Sequence, residues 1–395
     1  MSKTDDGIYV AGAVRTPIGR FGGGLAGLTA VELGIQASRA ALSRVGLDPQ
    51  AIDQVILGHA RQAGCGPNPA RQVGVGCGIP VERPAYTVNQ ACLSGMQALL
   101  AGLRAIRLGE AEVVLAGGME SMSRVPYLLE ARWGTSMGHR ELVDAMYRDG
   151  FLDPLSGKIM GETAETLAER YKIPRAEQDA YSALTQQRCE QARNAGRFRA
   201  EIAPISITEK GRQRLLEADE HPRDGVTAQG LAKLAPVFDA QGTVTAGNSS
   251  GITDGAAAMI VLSGRAARRL GIEPLARIKG FRVVGVDPAI MGIGPVPAVR
   301  QLLQATGDEL ESFDLVELNE AFAAQVLAVD RELHLDREKL NVNGGAIALG
   351  HPIGCSGARI VVTLMHEMQR RGSRRGLATL CVSGGLGGAL SLERA

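Results

Sequence analysis

Two stretches of this 395-residue chain repeat the same order of short segments, and the repeat limits the folds open to it more than any other feature. AIDQVILGH (Ala51 to His59) recurs as SFDLVELNE (Ser312 to Glu320), and Val88-Asn89 recurs as Val342-Asn343. Ser94-Gly95, a helical pattern and AEVVLAGG likewise recur as Ser356-Gly357, a helical pattern through Val361 to Met368 and ATLCVSGG. Within the first copy, Met96, Leu99, Leu100, Leu103 and Ile106 fall at helical spacing over Ser94 to Leu108. Glu112 to Ala116 then reads as a buried strand ending at Gly117-Gly118. Alternating strands and helices predict an α/β fold, here two similar halves packed together. In such a duplication, loops from equivalent strand ends converge on one crevice, which would bring Cys92, His351 and Cys381 together.

The remaining segments fit around that core. Ile8 to Val14 reads as a strand closed by Arg15-Thr16-Pro17 and a Gly22-Gly23-Gly24 turn, before a helical pattern over Thr29 to Val45. From roughly Ser121 to Gly247 the composition shifts to charged helical segments, which suggests an inserted loop domain. Pro174 with Glu177 and Gln178 marks a helix start there, and Phe198 to Ile207 reads as an edge strand broken by Pro204. TVTAGNSSGITDGAAAMIVLSG (Thr243 to Gly264) carries the chain back into the first half. The expected division is therefore residues 1–120 plus 248–272, an insertion at 121–247, and a second half at 273–395.

Composition excludes several classes. A net charge of +1 offers no electrostatic case for nucleic acid or a membrane surface, and no apolar run reaches membrane-spanning length. Six cysteines without C-x-x-C spacing predict neither a metal site nor a disulfide scaffold, so thiols stay available in a reducing compartment. The start, MSKTDDGIYV, lacks a signal-peptide core and the end, SLERA, is not a peroxisomal tripeptide, so the expected location is cytoplasmic.

The chemistry gathers at shaped loops. In NGGAIALGHPIGCSG (Asn343 to Gly357), glycines permit unusual backbone and Pro352 fixes φ directly after His351, so backbone would hold the imidazole. Cys92 stands just before the helix beginning near Ser94, where a helix N-terminus favours thiolate. Cys381 ends a buried strand in TLCVSGG. On residues alone, His351 is equally readable as a loop cap, Cys92 as a small buried hydrophobe and Cys381 as strand packing.

Four motifs in order, VNQACLSGMQA (Val88 to Ala98), NEAFA (Asn319 to Ala323), GGAIALGHPIGCSG and TLCVSGG, resemble the thiolase family over nearly the full length. The resemblance implies acyl transfer between coenzyme A thioesters: Claisen condensation with acetyl-CoA, or thiolysis of 3-ketoacyl-CoA. It makes Cys92 the acylated nucleophile, His351 its base and Cys381 the acid/base at C2 of acetyl-CoA. Asn319 would hold a water that shares the enolate oxygen with His351, and the N–H groups of Cys92 and Ser383 would form a second anion hole. Many relatives carry glycine where Ser383 stands. Around coenzyme A it places Arg223 at the adenine and phosphate end, Ser250 on the pantetheine, and Phe238, Ala246, Met160, Ala321 and Phe322 as walls, with Met291 at the acyl end. Ile159 precedes Met160 where short-chain relatives often have histidine, which leaves chain length open. Coenzyme A is implied as substrate, with no tightly bound cofactor. A role in fatty acid metabolism and a homo-oligomer, a dimer of dimers tetrameric through Met122 to Arg148, are implied as well. A ketoacyl synthase-like enzyme would need a Cys-His-His site, against which Asn319 and Cys381 stand. A non-catalytic acyl-CoA or lipid binder would not need the intact Cys92, Asn319, His351 and Cys381.

Overall fold

The repeat is visible in the strands. β1 (Ile8–Arg15), β2 (Gln54–Gly58), β3 (Ala85–Val88), β4 (Val113–Ser121), β5 (Thr253–Ser263), β6 (Ala276–Gly285), β7 (Leu315–Leu318), β8 (Arg375–Val382) and β9 (Leu386–Arg394) lie side by side in one path. Their order is β7-β8-β9-β6-β1-β5-β4-β2-β3. The computed structural model describes residues 7–134, 136–209 and 211–395, so the leader reading at residues 1–6, and Thr135 and Lys210 in the middle segment, lie outside the described residues.

The path is symmetric about the antiparallel contact of β1 with β6 at Tyr9–Arg277 and Val10–Ala276. On one side β1 pairs antiparallel with β5, β5 antiparallel with β4, and β4 parallel with β2. On the other, β6 pairs antiparallel with β9, β9 antiparallel with β8, and β8 parallel with β7. β3 runs parallel to β2, and its counterpart in the second copy is a single parallel bridge between Val316 and Leu340.

Both faces of each half-sheet are covered, as continuous apolar strands require. On β4, Val114 and Ala116 pack with Met96, Leu99 and Leu100 of the helix Ser94–Arg107, whereas Val113 and Leu115 pack with Leu33, Ala37 and Ala41 of a helix spanning Ala30–Arg44. On β8, Leu380 and Val382 face the helix Ile353–Arg371, and Leu377 and Cys381 face Val299 and Leu302 of the helix Pro295–Thr306. Five layers result, with Ser94–Arg107 and Ile353–Arg371 sandwiched between the half-sheets. The latter is buried on every side from Ile353 to Met365, as a central helix must be.

Glycines set how closely these two central helices approach. A Cβ at Gly95 would stand 2.7 Å from the Ala358 nitrogen, and one at Gly357 would stand 2.7 Å from the Met96 nitrogen. Only bare backbone fits, and the N-terminal ends of the helices, which follow Cys92 and His351, are drawn together. The sequence reading ended β4 at Gly117-Gly118, but the strand continues to Ser121. The glycine pair lets it pass beneath neighbouring backbone, since a Cβ at Gly118 would meet the Gly354 carbonyl at 2.2 Å. The first repeat segment also starts later than its apolar run: Asp48 caps a turn at Pro49–Ala51 and the strand begins at Gln54.

The middle segment contributes helices at Met160–Arg170 and Arg175–Asn194, the second entered at Pro174 as expected. Phe198 to Ile207 is not one strand. A helical turn at Arg197–Ala200 follows Gly196 at φ +70°, and the strand starts at Ile205, directly after Pro204, pairing with Arg212–Leu216. Phe198 and Ile202 are buried in the same small cluster, Phe198 within the helical turn and Ile202 just after it. Buried Arg15 fastens this segment to the first half, with Nε 2.6 Å from Glu201 and the other nitrogens 2.6 and 2.9 Å from Asp219. Removing one partner of such a buried pair typically destabilises by about 3–5 kcal/mol.

Candidate active site

A cleft of about 600 Å³ opens where the two central helices begin. Its wall contains Cys92, His351, Cys381 and Ser383 together with Arg223, Ser250, Phe238, Ala246, Met160, Ala321, Phe322 and Met291. Every sequence-selected residue except Asn319 therefore meets at one surface. A larger groove of about 1100 Å³, bounded by Lys158, Glu165, Lys172 and Asp239, shares Phe238 with the cleft but presents neither thiol nor imidazole, so the chemistry belongs to the smaller space.

Cys92 sits in a turn at Ala91–Leu93 that runs straight into Ser94–Arg107. Ala91 adopts φ +44°, a left-handed conformation that costs a non-glycine residue about 1 kcal/mol or more. Ser94 pins the turn: its hydroxyl donates to the Ala91 carbonyl at 2.7 Å and accepts the Gln90 N–H at 2.8 Å. Burial pushes the Cys92 thiol up, opposed by the backbone N–H groups of Ser383 and of Cys92 itself and by Arg61. The net direction is upward, contrary to a thiolate resting on a helix terminus, because desolvation outweighs the local donors. Those same two N–H groups are the donors available to an oxyanion on a carbonyl carbon bonded to the sulfur.

His351 is set by its loop and by Ser356. Its backbone N–H donates to the Gly251 carbonyl at 2.9 Å, and its Nδ1 lies 2.5 Å from the Ser356 hydroxyl, which in turn lies 3.0 Å from the Pro352 carbonyl. A carbonyl only accepts, so a serine hydroxyl donating to Pro352 takes the Nδ1 hydrogen and leaves Nε2 as a bare lone pair, a base. With the hydroxyl turned to donate to Nδ1, the same contact suits the other tautomer, whose ring hydrogen sits on Nε2 as a donor. One serine supports both forms. Burial first, then Arg359 and Arg61, push the imidazole down to about 3, so His351 rests neutral.

Two carboxylates missed by the sequence reading hold the loops. Glu120 accepts N–H bonds from Gly354 at 2.9 Å, Arg61 at 3.1 Å and Ala60 at 3.2 Å, tying the His351 loop to the ends of β2 and β4. Burial opposes its charge, but His59, Arg61 and these donors hold it below the usual carboxylate range. Glu320 is a buried hub. It accepts from Tyr181 at 2.8 Å, Thr185 at 2.9 Å, Asn341 at 2.9 Å and the Ile347 N–H at 3.1 Å, and so fixes the turn that leads into His351. Ser356, five residues beyond His351 in the same motif, was within reach of a sequence argument; Glu120, 234 residues from its Gly354 partner, was not.

Cys381 ends β8, fully buried, and burial and the neighbouring Cys92 push its thiol strongly upward. Such a thiol is rarely ionised, and its thiolate is a correspondingly strong base, suited to a weakly acidic C–H. Asn319 lies behind the cleft at 0% exposure, and neither its amide oxygen nor its amide nitrogen has a hydrogen-bond partner among the described residues. Buried amides are rarely left so.

The mouth is shaped for a long ligand. Phe238 and Phe322 meet edge to face with centroids 6.2 Å apart, the Ser250 N–H donates to the Ala321 carbonyl at 3.0 Å, and Arg223 stands exposed at the rim. Gly161 admits the Phe238 ring, which a Cβ would meet at 2.2 Å. Among the described residues no helix is long and apolar enough to cross a membrane.

Comparison with known proteins agrees with this geometry. Residues 8–265 match the family model for the thiolase N-terminal domain and residues 272–394 that for the thiolase C-terminal domain. An acetyl-CoA acetyltransferase of Pseudomonas aeruginosa is 53% identical over 98% of this chain and 99% of its own. A probable acetyl-CoA acetyltransferase of Escherichia coli is 50% identical over the same shares, 98% and 99%. Among solved structures, an acetyl-CoA acetyltransferase of Bacillus anthracis superposes with a TM-score of 0.96 at 47% identity, over 100% of both chains. Human mitochondrial 3-ketoacyl-CoA thiolase in complex with CoA superposes with a TM-score of 0.95 at 46% identity, over 99% of this chain and 98% of that one.

Proposed function

The chain belongs to the thiolase family and is an acetyl-CoA acyltransferase, and from that premise we propose that it works by a two-step route through an acyl group on Cys92. The observation that carries the proposal is the meeting of the Cys92 and Cys381 thiols with the neutral imidazole of His351 at a single cleft. In the first half-reaction the Cys92 sulfur attacks the thioester carbonyl while Nε2 of His351 takes its proton. The carbon–sulfur bond to coenzyme A breaks, and His351 returns that proton to the departing sulfur. The N–H groups of Cys92 and Ser383 stabilise the intervening oxyanion. In the second half-reaction Cys381, once its thiol proton has passed to solvent, acts as the thiolate that takes a proton from C2 of acetyl-CoA. His351, now with hydrogen on Nε2, and a water on Asn319 stabilise the enolate oxygen. The enolate carbon attacks the acyl group, Cys92 leaves, and the proton collected by Cys381 passes to its sulfur. Thiolysis is the reverse.

Coenzyme A enters as substrate along Phe238, Phe322, Ala321, Ala246, Met160 and Ser250, with Arg223 toward its phosphates and Met291 at the acyl end. We divide the chain into residues 1–120 plus 248–272, a loop domain at 121–247 over the coenzyme, and residues 273–395. The apolar character of the acyl end is compatible with fatty acid metabolism, and the cytoplasm is the proposed location.

Acylation has a direct test. After brief treatment with acetyl-CoA, peptide mass spectrometry is expected to find the acetyl group on Cys92 and not on Cys65, Cys77, Cys189, Cys355 or Cys381. A reproducible acetyl group elsewhere with Cys92 bare would remove the nucleophile assignment.

We also propose a homo-oligomer, dimeric through the core halves and tetrameric through Met122 to Arg148. That stretch presents Tyr127, Trp133, Met137 and Leu142 to solvent, with Trp133 at 95% exposure, and a patch of this kind marks an interface. Light scattering is expected to give a tetramer at working concentration. An active monomer would contradict it.

A further inference from the structure

His221 lines the cleft but takes no part in the chemistry above. Its Nδ1 lies 2.7 Å from the Ala348 carbonyl, which can only accept, so Nδ1 carries the ring hydrogen and Nε2 holds a lone pair. Nε2 sits against Gly251 on the cleft wall, where a Cβ would stand 1.9 Å from it, so only glycine leaves it room. It has no hydrogen-bond partner among the described residues. The surrounding wall is poor in acceptors: Phe238, Ala246, Ile252, Ala321 and Phe322 are apolar, and the Ser249 hydroxyl is turned to the Thr245 carbonyl at 2.7 Å. A ligand arm built from amides brings N–H donors into this space, and a donor desolvated without an acceptor loses its hydrogen bond to water.

We propose that His221 Nε2 is the acceptor for an N–H or O–H group of the pantetheine arm of coenzyme A, an inference that rests on the cleft being the coenzyme site. Through Ala348, which precedes His351 by three residues, the same ring braces the turn that carries the base. Burial first, then Arg223, lowers the imidazole below its ordinary value, against backbone Ala348 and Asp219, which keeps the ring neutral and Nε2 free to accept.

Two substitutions separate the atoms. His221→Asn keeps an N–H directed at Ala348 and lacks the Nε2 acceptor; His221→Phe lacks both. Calorimetric titration with free coenzyme A is expected to show a dissociation constant about 3–10-fold higher for His221→Asn than for wild type, the loss of one hydrogen bond to a neutral group. In steady state the defect is expected to be larger in KM for the coenzyme than in kcat. His221→Phe is expected to lose at least as much affinity, with thermal unfolding confirming that both variants fold. A His221→Asn protein that binds coenzyme A as tightly as wild type would overturn the acceptor role. Wild type that fails to bind coenzyme A would instead overturn the assignment of the cleft.

Discussion

Cys381→Ala is expected to go on forming acyl-enzyme from acetyl-CoA while losing both carbon–carbon bond formation and deuterium exchange into the acetyl methyl group. The expectation follows from the separate duties we propose for the two thiols. Cys92 stands on the strained turn with two backbone N–H donors beside its sulfur and a neutral base available, everything acylation requires. Cys381 ends a strand of the other half with its thiol pushed up by burial, which suits a base for a weakly acidic carbon. A positioned general base is commonly worth about a hundred- to ten-thousandfold in rate, so the exchange should fall by that order. Acylation should slow only through the lost packing of one buried sulfur. Cys92→Ala gives the converse, with no acyl-enzyme at all. The measurements are the burst of free coenzyme A and the methyl exchange observed by NMR. Exchange at the wild-type rate in Cys381→Ala would falsify the base assignment and leave Cys381 as strand packing.

The duplicated architecture was legible because each copy repeats the same apolar strands and small-residue helix starts, which symmetric packing then uses twice. β2 and β7 fall within the paired stretches AIDQVILGH and SFDLVELNE, and each runs parallel to the strand that follows the central helix of its own copy. Departures from the reading occur where a tertiary contact decides the local structure. Gly117-Gly118 looks like a strand end, yet the pair runs on within the strand because a Cβ at Gly117 would meet the Ala257 carbonyl and one at Gly118 the Gly354 carbonyl. Phe198 and Ile202 look like alternate strand positions, yet Arg15 and its carboxylates set the path of that segment.

At the cleft, the residues that touch the ligand space were legible and those that hold them were not. Cys92, His351 and Cys381 advertise themselves through glycine-rich loops and special spacing. Glu120 and Glu320 act through buried N–H bonds to Gly354 and Ile347, partners remote in sequence. No local pattern separates such carboxylates from surface ones. The ionisation of Cys92 was misjudged for a related reason: a helix start is visible in sequence, whereas the depth of burial that outweighs it is not.

Asn319→Ala is expected to slow the carbon–carbon step by about a hundred- to a thousandfold, the usual consequence of losing one donor from an anion hole. The amide is buried with neither polar atom bonded to protein among the described residues, which leaves both free for a solvent or ligand partner. A water fixed by the amide can donate to the enolate oxygen beside Nε2 of His351, and alanine at this position cannot hold it. Acylation of Cys92 uses a different set of donors, the N–H groups of Cys92 and Ser383, and should be affected far less. The single-turnover rate of acyl-enzyme formation and the rate of methyl exchange separate the two. A purely structural role makes a different forecast. Because no protein hydrogen bond is broken, removing the amide should shift thermal unfolding little, whereas a packing residue would lower the unfolding temperature and depress both half-reactions together. Equal loss in acylation and exchange, accompanied by a lowered unfolding temperature, would place Asn319 in the scaffold and leave the enolate oxygen to His351 alone.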